Sequence, residues 1–143
     1  QEKSFTFLEP SKEVTLTEPS NAAQVITISA YNSHTDSWYP VSGRGYTRNG
    51  GIKPDLAAPG VRVPAILGEE SGSCMAAALA AGCAAQFMEW AIVDRSAPAV
   101  DSRGTKSYLI QGAERSGDVV YPDTRWGYGK ININGTFETL ARL

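Results

Sequence analysis

The feature that most constrains this fold is an apolar, alanine-rich run that starts after a glycine and two small polar residues. The run reads Gly72-Ser73-Cys74-Met75-Ala76-Ala77-Ala78-Leu79-Ala80-Ala81-Gly82. From Met75 to Val93 the only strongly polar residues are Gln86 and Glu89. A helix that is apolar on nearly every side is typical of the centre of a core. The sequence therefore predicts a buried central helix from near Cys74 to near Val93, with Gly82 admitting a neighbouring backbone.

Cys74 would lie at the N-terminus of this helix, beside unpaired N–H groups and the positive end of the helix dipole. Such a position stabilises an anion, so Cys74 is a candidate nucleophile. The alternative is a packing cysteine, since cysteine is among the most buried residue types. Cys83 is expected to be such a residue. A Cys74–Cys83 disulfide is excluded, because nine helical residues rise about 13 Å.

Composition argues against several classes of protein. The net charge is −2 and no Lys/Arg run occurs, so neither nucleic acid nor an anionic membrane is an expected partner. Alanine is weakly apolar and two polar residues interrupt the run, which argues against a membrane span. No signal-peptide pattern follows Gln1, and neither cysteine has the spacing of a metal ligand.

Alternating and apolar segments predict the strands. Ser4–Leu8 and Glu13–Thr17 alternate polar with apolar residues and predict a hairpin within residues 1–18, either a simple edge hairpin or the tail of an inserted module. Gln24–Tyr31 is apolar nearly throughout, as in a central parallel strand. Val61–Leu67 predicts a short strand, and a loop from Gly68 to Ser71 follows it.

Loops and helix caps complete the prediction. Pro40–Gly51 is rich in glycine and predicts a loop, and Asp55 is expected to accept backbone N–H bonds in a structural role. Asp101 is an expected N-cap for a helix through about Arg115, and Asn134 for a final helix.

The only histidine, His34, falls in a polar segment after the strand over Gln24–Tyr31. A lone loop histidine is usually solvated, although a Cys74–His34 dyad is an alternative.

Three blocks, taken in order, resemble the subtilisin-like serine proteases, or subtilases. Residues 72–82 resemble the family's nucleophile block, Gly-Thr-Ser-Met-Ala-x-Pro-His-Val-Ala-Gly. Residues 42–60 resemble its Ser-Ser-Arg-Gly-Pro-Thr…Gly-x-Ile-Lys-Pro-Asp-x-x-Ala-Pro-Gly segment. Residues 126–132, Trp-Gly-Tyr-Gly-Lys-Ile-Asn, resemble the turn before the family's last helix.

The resemblance implies an α/β fold: a mostly parallel sheet with helices on both faces, incomplete, around the central helix. Residues 1–143 would form the C-terminal portion of a catalytic domain. By this resemblance Cys74 would take the nucleophile position and supply a backbone oxyanion donor, and Ser71, Gly72 and Ser73 would lie beside the bound peptide. The family's Asp, His-Gly-Thr and oxyanion Asn blocks are not in this sequence. One sheet edge and an apolar face should therefore lack their usual cover.

Two functions follow from the resemblance. One is an endopeptidase that is inactive as this chain alone; the other is a pseudoprotease with a binding or regulatory role. Expected partners are a peptide or protein substrate and either the N-terminal half of the catalytic domain or a second copy. No cofactor or metal site is evident, although the resemblance allows calcium. The resemblance favours a secreted or cell-surface location.

Overall fold

The computed structural model describes residue 6 and residues 8–142, which are built around a small mixed sheet. Its strands are β1 (Ile28–Asn32), β2 (Ser37–Trp38) and β3 (Leu56–Pro59), in the order β2-β1-β3. β1 runs parallel to β3 and antiparallel to β2. Ala57 of β3 forms a further parallel bridge to Lys130. The expected incomplete α/β architecture is confirmed.

A separate hairpin lies between the sheet and the long helix. It consists of β4 (Val63–Ala65) and β5 (Gly68–Glu70), paired antiparallel. The sequence predicted one strand over Val61–Leu67 and then a loop, which is wrong in its second half. The chain reverses at residues 66 and 67 because Gly68 adopts a φ of +128°, a conformation that suits glycine.

Three α-helices follow: α1 (Ser73–Met88), α2 (Ser102–Gln111) and α3 (Ile133–Leu140). α1 continues as a π-helical turn over Glu89–Val93, so the predicted ends of the central helix are confirmed. α2 stops before the predicted Arg115, at Gly112, which lies against the backbone of α3.

The cap of α2 was predicted correctly and the cap of α3 was not. The Asp101 carboxylate accepts the N–H of Gly104 at 2.8 Å. In α3 the cap is Asn132, whose side-chain oxygen accepts the N–H of Gly135 at 2.9 Å. Asn134 is already inside the helix, because the extended backbone that a cap needs occurs at Asn132.

The helices pack on one face of the sheet. Ala58 of β3 contacts Ala76 and Ala80 of α1, and Leu56 contacts Leu109 of α2. Leu56 and Ala58 share a face, since side chains alternate along a strand.

The other face is covered by the loop around residues 125 and 126. The Ser29 hydroxyl donates to the carbonyl of Arg125 at 2.5 Å, and the Tyr31 ring lies 5.6 Å from that of Trp126.

The expected burial of α1 on all sides is wrong for this chain. Its buried residues are Ala76, Ala80 and Phe87, whereas Leu79 and Met88 are 40% and 44% exposed. Composition indicates only that the helix is apolar on nearly every side, not what covers each side. The exposed side agrees with the expectation that an apolar face lacks its usual cover. By length and composition alone, the helical segment over residues 73–93 is long and apolar enough to cross a membrane. In this structure one side of that segment packs on the sheet.

The expected bare sheet edge is covered at one residue of β1 by the segment that follows β2. At Ala30 of β1 the carbonyl accepts the N–H of Tyr39 at 3.1 Å, and the N–H donates to the Ser42 hydroxyl at 2.9 Å. The loop after β2 thus satisfies the backbone of Ala30, whereas Ile28, nearer the start of β1, lines a cavity.

The N-terminal segment does not form the predicted second strand. Over Glu13–Thr17 the chain is irregular and Thr15 exchanges hydrogen bonds with Arg44. The predicted strand over Ser4–Leu8 lies mostly outside the described residues. The origin of residues 1–18 in an inserted module stays a prediction.

Candidate functional site

Cys74 is the second residue of α1, at the carboxyl ends of β1 and β3. Gly60, directly after β3, accepts the N–H of Gly72 at 2.8 Å. A Cβ on Gly60 would lie 2.6 Å from the Cβ of Ala30 and 3.2 Å from that of Ala76. This close approach of backbones fixes the start of α1 against the sheet.

The Cys74 thiol is exposed to solvent. Gly72 is the N-cap of α1 and supplies no capping side chain. Within the described part of the chain, no hydrogen bond engages the N–H of Ser73 or Cys74. Free N–H groups beside an exposed thiol can stabilise a thiolate or an oxyanion.

The residues just before Cys74, from Ser71 to Ser73, were predicted to lie beside a bound substrate peptide. The Ser71 hydroxyl accepts the N–H of Arg62 at 2.9 Å, so it also has a local structural role. Ser73 is exposed and lines a cavity of about 650 Å³. The rest of its wall comes from Thr27 and Ile28, from Trp38 and the loop over residues 40–44, and from the segment over residues 11–20.

An exposed ion pair lies on the adjoining hairpin. Arg62 Nε is 2.7 Å from Glu69 Oε2, and this hydrogen bond lowers the pKa of the Glu69 carboxyl.

His34 is exposed in the turn between β1 and β2, and its backbone N–H donates to Asn32. Among the described hydrogen bonds, none joins His34 to Cys74, so the geometry gives the dyad no support.

Asp55 has the structural environment expected for it. It is 1% exposed, and its Oδ2 accepts the N–H of Thr27 at 2.7 Å. It precedes β3, whereas Cys74 lies at the other end of that strand.

Two ammonium groups contact this carboxylate, Lys53 at 2.7 Å and Lys106 at 2.5 Å, and neither contact was predicted from the sequence. A lysine two residues before a buried aspartate was the available signal for the first, and nothing local indicated the second. Burial lowers the pKa of Lys53, although the hydrogen bond with Asp55 opposes this shift.

Cys83 is half-buried on α1, and burial raises the pKa of its thiol. Both cysteines are free, as predicted. No group of three or more His, Cys, Asp or Glu residues suited to a metal ion occurs among the described residues.

The subtilase family model matches residues 8–129. No curated protein matches the chain significantly. Among solved structures, the Clostridium perfringens CspB protease is similar with a TM-score of 0.89 and 34% identity, covering 95% of this chain and 31% of its own. The chain therefore spans about a third of that structure.

Two further structures share the fold at lower identity. The self-cleaved protease domain of PatA has a TM-score of 0.69 and 21% identity, over 92% of this chain and 47% of its own. The prenylagaramide maturation protease PagA has a TM-score of 0.68 and 23% identity, over 90% and 47%.

Proposed function

Because the chain belongs to the subtilase family, we propose that it forms part of a peptidase catalytic domain with Cys74 at the nucleophile position. The observation that carries this proposal is the exposed thiol in the first turn of α1, beside free N–H groups at the carboxyl ends of two parallel strands. The Cys74 thiolate would attack a peptide carbonyl carbon, and the Cys74 N–H would donate to the oxyanion of the tetrahedral intermediate. Collapse of that intermediate would break the C–N bond and leave a thioester on Cys74 that water hydrolyses. The amine would leave with a proton from the histidine of the family's upstream block. The substrate would pass beside Ser71, Gly72 and Ser73.

This chain alone would not turn over substrate. Its 143 residues lack the His-Gly-Thr, Asp and Asn blocks of the family, and its one histidine forms no described hydrogen bond to the thiol. A cysteine without a base attacks only as the fraction that is already ionised.

We propose that the rest of the catalytic domain covers the outer side of α1 and completes the site. Two observations support this partner. The outer side exposes Leu79, Met88 and Ile92, and the similar CspB chain is about three times as long. A second copy of this chain is the competing occupant.

The test measures casein hydrolysis by this chain and by the protein carrying the family's upstream blocks. We expect no turnover from the chain and turnover from the longer protein that Cys74→Ala abolishes. Cys83→Ala is the matched control and should retain activity. Robust hydrolysis by the chain alone that Cys74→Ala abolishes would contradict the proposal that the site needs residues from the rest of the catalytic domain. It would restore the Cys74–His34 dyad as the alternative.

The alternative is a pseudoprotease that keeps the fold for binding or regulation. It is favoured by cysteine at a position where the family has serine. Cys74→Ser in the longer protein separates the two functions, because an intact base would activate the serine hydroxyl. Inactivity of both forms would identify the pseudoprotease.

A further inference from the structure

Several oxygen atoms converge near the start of β3, at the end of that strand away from Cys74. They are the carbonyls of Ala23 and Val25 and both carboxylate oxygens of Asp55. The Asp55 side chain is 2% exposed. Carbonyl and carboxylate oxygens are the ligands that hard cations such as Ca²⁺ take in proteins.

Two ammonium groups already occupy this set of oxygens. Lys53 Nζ lies 2.7 Å from the Val25 carbonyl and 2.7 Å from Asp55 Oδ2. Lys106 Nζ lies 2.5 Å from Asp55 Oδ1 and donates to Ala23 and Val25 at 3.3 and 3.4 Å. The Lys53 side chain is 4% exposed and that of Lys106 is 19% exposed.

We propose that Lys53 and Lys106 act as built-in cations at this oxygen site, and that the site therefore takes no metal ion. The residues do not fit calcium as they stand, because Ca²⁺ within about 2.3–2.6 Å of these oxygens would occupy the same space as the ammonium groups. Together the two ammonium groups carry two positive charges, as one Ca²⁺ would. The chain itself thus provides the positive charge that a bound Ca²⁺ would bring to the Asp55 carboxylate.

The site joins two segments that must be in register for the sheet to form. Asp55 Oδ2 accepts the N–H of Thr27, and the N–H of Asp55 donates to the Thr27 carbonyl at 2.8 Å. Lys53 and Lys106 neutralise the buried carboxylate that makes this link. The start of the parallel pairing between β1 and β3 is therefore independent of added metal.

The experiment measures thermal unfolding of the full chain in EDTA and in millimolar CaCl₂. For the natural protein we expect the same Tm in both. The double variant Lys53→Met/Lys106→Met should have a lower Tm in EDTA, and CaCl₂ should raise it by about 5 °C or more, because an ion that binds only the native state stabilises it.

Two controls locate the effect. Adding Asp55→Asn to the double variant should abolish the response to CaCl₂. Lys12→Met, which removes an exposed lysine elsewhere, should leave the Tm of the natural protein and its indifference to calcium unchanged.

Either of two results would overturn the proposal. One is a natural protein that CaCl₂ stabilises and whose response Asp55→Asn removes; the other is a folded double variant that no calcium stabilises. If the double variant does not fold in either buffer, NMR of the natural protein decides. Slowly exchanging ammonium protons on Lys53 support the proposal, and a neutral or freely exchanging Lys53 amine at neutral pH contradicts it.

Discussion

Cys74 and Cys83 lie on the same helix but differ in their surroundings. Cys74 is exposed at the N-terminus of α1, whereas Cys83 is half-buried and burial raises the pKa of its thiol. Iodoacetamide should therefore modify Cys74 at least about tenfold faster at neutral pH, since thiolates react and thiols do not. Peptide mapping over a time course gives both rates. In denaturant the two rates should converge, and equal rates in the native protein would show that the helix presents no nucleophile.

For single residues, the sequence could predict only those roles that depend on neighbours along the chain. Asp55 stands just before an apolar strand, so its role as an acceptor of a backbone N–H was predictable and is confirmed. Its second ammonium partner, Lys106, comes from a helix far along the chain. Only the tertiary fold brings these charges together.

Two glycines test how α1 is held. At Gly60 an added Cβ would lie 2.6 Å from Ala30 and 2.8 Å from the carbonyl of Gly72, so Gly60→Ala should cost about 1–3 kcal/mol of unfolding free energy. At Gly82 nothing lies within 4 Å, contrary to the expected close backbone contact. Gly82→Ala is therefore the matched control and should stabilise the chain by roughly 0.5–1 kcal/mol. Urea unfolding measures both, and similar effects of the two substitutions would contradict the packing described for Gly60.

The N-cap of α3 provides a second test of how the helices are stabilised. Asn132→Ala removes the acceptor for the N–H of Gly135 and should destabilise the chain by about 1 kcal/mol. Asn134→Ala should change stability by less than about 0.5 kcal/mol, since Asn134 is exposed in the first turn. A larger loss at Asn134 in urea unfolding would restore the sequence prediction. The two asparagines are two residues apart, and a helix start cannot be predicted from sequence to that precision.

For the whole molecule, the order of the three blocks that resemble the subtilases predicted the family and, through that resemblance, the parallel core of the sheet. The resemblance predicted that an apolar face would lack its usual cover, but which residues cover each surface was not predictable. The loop from Tyr39 to Ser42 satisfies the backbone N–H and carbonyl of Ala30 in β1, which no pattern indicated. Conversely, α1 has a composition suited to full burial, yet the described chain covers only one side of it.

That uncovered side predicts the association state of this chain. Leu79, Met88, Ile92 and Val93 are between 40% and 72% exposed, and an apolar surface of this kind on a soluble protein is typical of an interface. On its own the chain should self-associate in sedimentation experiments and bind an apolar dye. Leu79→Glu/Met88→Glu should reduce both, because a charge in an apolar contact must be desolvated.

The matched control is Ile66→Glu/Leu67→Glu, at the tip of the β4–β5 hairpin, where both side chains are almost fully exposed but off the helix. This variant should keep the association of the natural chain. If the upstream part of the catalytic domain covers α1, adding it should displace both the second copy and the dye. A natural chain that sediments as a monomer and binds no dye would show that the outer side of α1 needs no cover.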